Sequence, residues 1–460
     1  MPLASRATRK PSGVDAEPQG PSNADRSWSS ISSRRAATQM KPSMRFLYSI
    51  LLPRYLSSED AKEVRAFKFV GEDRSLLYNY VLSPLCEVII QWVPEWVHPN
   101  VLTLCGLLCN VISHLIVFWY CPSLTEPCPA WVWALTGIMV IAYSFFDNLD
   151  GKQARRLGLS SPLGLLIDHG CDSINVVVSI FSTAALFQYG AGLRTLAMLF
   201  MTSTQFFFAT WDEYYRGEFI LPYINGPNEG IFVVATVYLL SSLMSDYSSF
   251  WHVKETLPFI GGSFQRCDIT LVLMLFSAIL ITLNHVYGVY SHLTKFGFGS
   301  QQKRMNTRTH DLHHAFSTAA PYCVGVVLAC LWVTFSPEGV AAQHPRLTIW
   351  FIGILFSYTV AMIQVAHVCD GDLAPSHWPC IVPVMIIACN CVLGLLSPDN
   401  RPPIHEPFLL VFVSTFALLS WLSMVISVLR DISEALSVSM WTVPLKVQAS
   451  CRSGKKLTVE

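Results

Sequence analysis

The chain has 460 residues, of which 52% are hydrophobic and 13% charged, against about 25% charged in an ordinary soluble domain. Lys plus Arg and Asp plus Glu balance at 31 each, which argues against nucleic acid as a main partner. Long apolar runs alternate with short polar loops, as expected where about 20 apolar residues must cross a bilayer.

In chain order, residues 1–45 are rich in Ser, Arg, Pro and Ala and read as a disordered, mildly basic cytoplasmic tail. No cleavable signal peptide is expected there, and Asp15, Glu17 and Asp25 break the acid-poor pattern of a transit peptide. Residues 46–97 carry Leu76, Leu77, Val81, Val88, Ile89 and Trp92, with Trp96 and nearby tyrosines. This composition predicts one or two amphipathic helices lying at the membrane interface.

Ten spans follow, near 100–119, 130–146, 164–188, 194–211, 229–247, 269–290, 316–335, 347–366, 378–397 and 407–430. The expected fold is an all-α polytopic membrane protein with about ten transmembrane helices. An N-terminus in the cytoplasm puts Lys152, Arg155, Arg156, Lys295, Lys303, Arg304 and Arg308 on that side. Lys446, Arg452, Lys455 and Lys456 join them, whereas loop 120–129 has no Lys or Arg. That distribution follows the positive-inside rule. Residues 436–460 are read as a second cytoplasmic tail. The cysteines read mostly as buried thiols, with Cys121 and Cys128 able to pair if their loop faces an oxidising lumen.

One stretch carries chemistry: Asp147-Asn-Leu-Asp150-Gly151-Lys-Gln-Ala154-Arg155, then Gly164, Asp168 and Asp172. On helices, Asp147 and Asp150 share a face at the end of one span, and Asp168 and Asp172 share a face at the start of the next. Ser161 reads as an N-cap with Pro162 at the first helical position. Four carboxylates then converge at the cytoplasmic end of two antiparallel helices. An intramembrane acid costs about 2.5–3.5 kcal/mol on insertion scales, so four together call for cations. Carboxylate oxygens suit Mg²⁺ or Mn²⁺, and two such ions can clamp a diphosphate. Gly151, Ala154 and Gly164 leave room for close approach, and Arg155 can bind phosphate oxygens.

This pattern resembles the signature of the CDP-alcohol phosphatidyltransferase family, D-x-x-D-G-x-x-A-R, eight residues, then G-x-x-x-D-x-x-x-D. Every fixed position is present from Asp147 to Asp172. The flanks, Ser161-Pro-Leu-Gly164 and Asp168-His-Gly-Cys-Asp-Ser173, look like its eukaryotic choline/ethanolamine phosphotransferase branch. The resemblance implies transfer of phosphocholine or phosphoethanolamine from CDP-choline or CDP-ethanolamine to a diacylglycerol hydroxyl, with CMP released. The alternative is a phosphatidyltransferase using CDP-diacylglycerol with a small alcohol such as inositol. It implies Asp147, Asp150, Asp168 and Asp172 as metal ligands. Arg155, with Gly151, Ala154 and Gly164, would take the nucleotide, as would Asn100 in the Pro-Asn-x-x-Thr element. It also implies a homodimer in the endoplasmic reticulum or Golgi, with a six-helix catalytic core over 98–290 and a four-helix extension over 291–435.

The attacking hydroxyl needs a base. His169 is the first candidate, because an ordinary pKa of about 6.5 suits proton removal near neutrality; Asp172 is the alternative. Glu213 can orient His169, although a loop carboxylate in water is the first reading. The run from Thr309 to His314 reads as a solvated loop.

Overall fold

The computed structural model describes residues 52–190, 192–256, 263–296, 311–373, 378–445 and 447–448. The expected tail 1–45, the cations Lys303, Arg304, Arg308, Lys446, Arg452, Lys455 and Lys456, and residues 309–310 lie outside the described residues. The protein is an all-α polytopic membrane protein, with only four three-residue strands among the described residues.

Two short helices, α1 (Asp60–Ala66) and α2 (Ser83–Ile89), precede the bundle, α2 being entered through a π-helical turn at Tyr78–Leu82. Tyr80, Trp92 and Trp96 are exposed there. The bundle comprises α3 (Pro99–Tyr120), α4 (Ala130–Leu157), α5 (Pro162–Leu186), α6 (Leu193–Arg216) and α7 (Ile231–Leu243). After the short α8 (Tyr247–His252) come α9 (Arg266–Phe296), α10 (Leu312–Phe335), the one-turn α11 (Val340–Gln343), α12 (Pro345–Val368), α13 (Trp378–Leu396) and α14 (Glu406–Leu436).

A helix therefore stands in each of the ten expected segments, but seven are long and apolar enough to cross a bilayer: α3, α4, α5, α9, α10, α12 and α14. The expected count of ten is not reached on those criteria. Helix α7 has 13 residues, short for a bilayer core of about 30 Å, and α13 has 19, with Cys380–Leu396 as its described apolar stretch. Helix α6 is long enough but too polar, carrying Arg194, Gln205, Asp212, Glu213 and Arg216.

The ends of α3, α4 and α5 are set by local chemistry. His98 caps α3 by accepting from the Asn100 N–H through Nδ1 at 3.2 Å, with Pro99 at the first position. Burial holds the His98 imidazole below its ordinary range, which keeps it the neutral acceptor this cap needs. Helix α4 ends on Gly158, whose φ of 65° lies in the left-handed region that glycine enters without penalty. Ser161 caps α5 as expected, accepting from Gly164 N–H at 3.3 Å, and Pro162 follows. The chain thus reverses within a few residues, and the end of α4 faces the start of α5.

Helices α5 and α12 form the centre of the bundle. Their most apolar stretches are 61% and 67% buried, against 11% for α9 at the periphery. Helix α12 packs on α5, α6 and α14. Gly353 makes that approach close, because a Cβ there would lie 2.5–2.7 Å from both methyls of Val177. Outside the bundle, β1 (Gly71–Asp73) pairs in parallel with β2 (Phe219–Leu221). Beside this pair, Glu229 accepts from the Ser75 hydroxyl at 2.6 Å and the Leu77 N–H at 3.1 Å. The third and fourth strands, β3 (Lys254–Thr256) and β4 (Ser263–Gln265), form an antiparallel hairpin. Cys121 and Cys128 are free thiols here, so the pairing considered for them is not formed. His313 and His314 fall in the first turn of α10 instead of a loop, because Asp311 caps that helix by accepting from the His314 N–H at 2.7 Å.

Val177 is β-branched and cannot swing aside cheaply. Gly353→Ala is therefore expected to cost about 1–3 kcal/mol by overpacking, read as a lower thermal midpoint in detergent. Adding Val177→Ala should recover most of that loss.

Candidate active site

Asp147 lies on α4 and Asp168 and Asp172 on α5. One oxygen from each of the three comes within 4.8 Å of the others. Hydroxyls hold two of the four acids: Tyr143, one turn before Asp147, donates to Asp172, and Thr103 of α3 donates to Asp150. Asp150 thus turns toward α3 and stands outside the three-carboxylate group. The Oδ1 of Asp168 is buried without a hydrogen-bond partner among the described residues.

Unit charges this close, within 4.8 Å, repel by roughly 3 kcal/mol per pair at an effective dielectric of about 20. Three hard oxygen donors and an orphaned carboxylate oxygen fit a divalent cation such as Mg²⁺ or Mn²⁺. The residues present therefore match the metal that the sequence implied. Thr103 sits in the Pro99-Asn-x-x-Thr element, so its place was visible in the sequence. Tyr143 carried no signal beyond lying one helical turn before Asp147.

Beside the carboxylates lies a cradle of small and polar groups. Asn100 is buried, and its Nδ2 donates to the Met440 carbonyl at 2.9 Å. Its Oδ1 faces Gly164, where a Cβ would come within 3.6 Å. At Gly151 a Cβ would approach the Arg155 guanidinium at 3.4 Å. Ala154, one residue before Arg155, is half-buried. The segment after α14 thus reaches Asn100, a contact that nothing in the sequence around Met440 announced.

The three cations at the end of α4 divide their work. Lys152 binds the Ser83 hydroxyl at 2.9 Å and Glu87 at 3.4 Å. Arg156 donates to the carbonyls of Ile90 at 2.7 Å and Val93 at 2.9 Å, with Glu95 at 3.8 Å. Both tie the preceding α2 segment to the bundle. Arg155 is exposed and has no hydrogen-bond or ion-pair partner among the described residues, which leaves its guanidinium free for phosphate oxygens.

His169 occupies a different side of α5. One residue turns a helix by about 100°, so His169 points away from Asp168 toward α6 and α12. Its ring is buried against Phe206 and Phe219. Its Nδ1 lies 2.6 Å from Gln364 Nε2, which is also 2.8 Å from Glu213 Oε2. His367 approaches the other oxygen of Glu213 at 3.6 Å. Glu213 is therefore no loop carboxylate in water. Helix α6 continues to Arg216, which places Glu213 one turn inside it and 1% exposed. Its neighbour Asp212 is taken up by His285 at 2.9 Å and Arg216 at 3.2 Å.

The division of cations has a measurable consequence. Arg156→Ala should lower the unfolding midpoint, by roughly 1 kcal/mol for the charged hydrogen bonds lost. Arg155→Ala should leave it unchanged, a contrast read by thermal unfolding of both variants in one detergent.

Residues 96–294 match the family model for CDP-alcohol phosphatidyltransferase. Over 403 residues the chain is 27% identical to choline/ethanolaminephosphotransferase 1 of Arabidopsis thaliana, covering 85% of this chain and 99% of that protein. It is 28% identical to choline/ethanolaminephosphotransferase 1 of Saccharomyces cerevisiae, over 74% of this chain and 84% of the other. Ethanolaminephosphotransferase 1 of Homo sapiens is 24% identical over 75% of this chain and 84% of its own length. The matched span holds all four acids, Asn100, Arg155 and His169, and the relatives extend the likeness well beyond it. Over residues 96–294 the chain carries a CDP-alcohol phosphatidyltransferase domain.

Proposed function

We propose that this enzyme transfers phosphocholine, phosphoethanolamine or both from CDP-choline or CDP-ethanolamine to the free hydroxyl of diacylglycerol. CMP is released, and phosphatidylcholine or phosphatidylethanolamine is formed. The observation that carries the reading is the convergence of Asp147, Asp168 and Asp172 within 4.8 Å, beside an unpaired Arg155. The names of the similar proteins support the choline/ethanolamine branch. The use of CDP-diacylglycerol with a small alcohol has less behind it.

Asp147, Asp150, Asp168 and Asp172 would hold Mg²⁺ or Mn²⁺, with two ions proposed. When bound, the ions neutralise the diphosphate and stabilise the entering and leaving oxygens. The protein's own part is to bind, orient and move a proton. Arg155 takes the diphosphate oxygens, and Asn100, Gly151, Ala154 and Gly164 line the space for the nucleotide. The diacylglycerol oxygen forms a bond to the phosphorus that bears the amino-alcohol, and the bond from that phosphorus to CMP breaks. The hydroxyl proton must leave in the same step. We assign it to His169, with Asp172 as the alternative. A carboxylate bound to a divalent cation is a poor base, and Asp172 already accepts from Tyr143. Gln364 stands on Nδ1, so Nε2 is the nitrogen left to face the substrate.

We further assign the membrane to the endoplasmic reticulum or Golgi, with the site facing the cytoplasm, where the cations of Lys152 to Arg156 lie by the positive-inside rule. The homodimer and the division into a core over 98–290 and an extension over 291–435 rest on the family resemblance.

Purified protein in lipid-containing micelles, given diacylglycerol and Mg²⁺ or Mn²⁺, is expected to release CMP from CDP-choline, CDP-ethanolamine or both. CMP release seen only with CDP-diacylglycerol and inositol would overturn the assignment of branch. His169→Ala is expected to lower turnover by about 100-fold or more with nucleotide binding retained. Near-normal turnover in that variant, with Asp172→Asn inactive, would move the base to Asp172.

A further inference from the structure

Helix α12 lies outside the span matched by the family model, yet it delivers a side chain to the candidate base. Gln364 is 1% exposed, and one atom of its amide touches both His169 Nδ1, at 2.6 Å, and Glu213 Oε2, at 2.8 Å. Its Oε1 is buried without a partner among the described residues. A buried amide with one end doubly engaged and the other unsatisfied is costly, and it can occupy the same space after a half-turn. The two arrangements differ chemically. With the amide nitrogen on Nδ1, a neutral imidazole carries its hydrogen on Nε2 and cannot accept there. With the carbonyl on Nδ1–H, Nε2 is free to accept, and Glu213 must then present a hydrogen to the same carbonyl.

We infer that Gln364 is a positioning residue for the transfer reaction: it holds the His169 ring between α5, α6 and α12 and determines which ring nitrogen is offered to the diacylglycerol hydroxyl. The competent arrangement has the Gln364 carbonyl on Nδ1–H. The inference deepens the proposed function and rests on His169 being the base. It also makes the C-terminal helices part of the site, because Gln364 lies on α12, which packs against α5 with Gly353 close to Val177.

The test is steady-state kinetics of four full-length proteins in the same micelles: parent, Gln364→Met, the double exchange Gln364→Glu with Glu213→Gln, and His169→Ala. Gln364→Met fills a similar volume but offers no acceptor. It is expected to lower kcat by about 10- to 100-fold, with the KM for the CDP-alcohol within about twofold of the parent. The double exchange restores a carboxylate acceptor on Nδ1–H and an amide donor opposite it. Its kcat is expected to lie within about fivefold of the parent, a recovery that a merely structural role would not produce. Parent-like kcat in Gln364→Met, with His169→Ala inactive, would overturn the role of Gln364 and leave the base reading standing. So would a double exchange as slow as Gln364→Met while CDP-alcohol binding is intact. Parent-like turnover in His169→Ala would instead overturn the base reading, and this inference with it.

Discussion

Three carboxylates held within 4.8 Å of one another at the ends of apolar helices are the constraint around which the rest of the structure is arranged. Left alone they repel, and their helices would separate or their side chains turn away. Two hydroxyls counter this from within the protein: Tyr143 donates to Asp172, and Thr103 turns Asp150 toward α3. Neither supplies positive charge, and the orphaned oxygen of Asp168 marks where the protein's own resources stop. A divalent cation would supply what is missing, and such an ion could also prepare a diphosphate for displacement.

Helix α5 separates two tasks by its own geometry. Asp168 and Asp172, four residues apart, lie on one face and look toward α4. His169 is turned by about 100° toward α6 and α12, where Glu213, Gln364 and His367 gather. On the proposed function, phosphate chemistry and proton removal would therefore act from two sides of one rod. The rod itself is fixed by the Ser161 cap at one end and by the close α12 contact over Gly353. The cations at the end of α4 show the same economy, with Lys152 and Arg156 spent on the segment around α2 and Arg155 without a partner among the described residues.

How much of this was legible in the sequence followed from the range of each interaction. The signature from Asp147 to Asp172, the Ser161-Pro162 cap and the apolar character of most spans depend on neighbours in the chain, and all could be read. Glu213 was misjudged because its burial depends on α6 running three residues beyond it and on a partner 151 positions away. Gln364 and Met440 were invisible for the same reason. A glutamine in an apolar run and a backbone carbonyl in a terminal segment announce nothing until the fold brings them to His169 and Asn100. Seven of the ten expected spans meet the length and apolarity of a membrane span among the described residues; α7 is short and α6 polar, and an apolar run alone does not fix how far its helix extends.

The central claim is that Asp147, Asp168 and Asp172 form a cation site. Equilibrium Mn²⁺ binding to the purified protein, followed by electron paramagnetic resonance of the free ion, tests it most directly. The account predicts saturable binding that is weakened by about tenfold or more in each of Asp147→Asn, Asp168→Asn and Asp172→Asn. Mn²⁺ binding that is the same in all three variants as in the parent would contradict it, and would leave the carboxylates without the cation on which the arrangement depends.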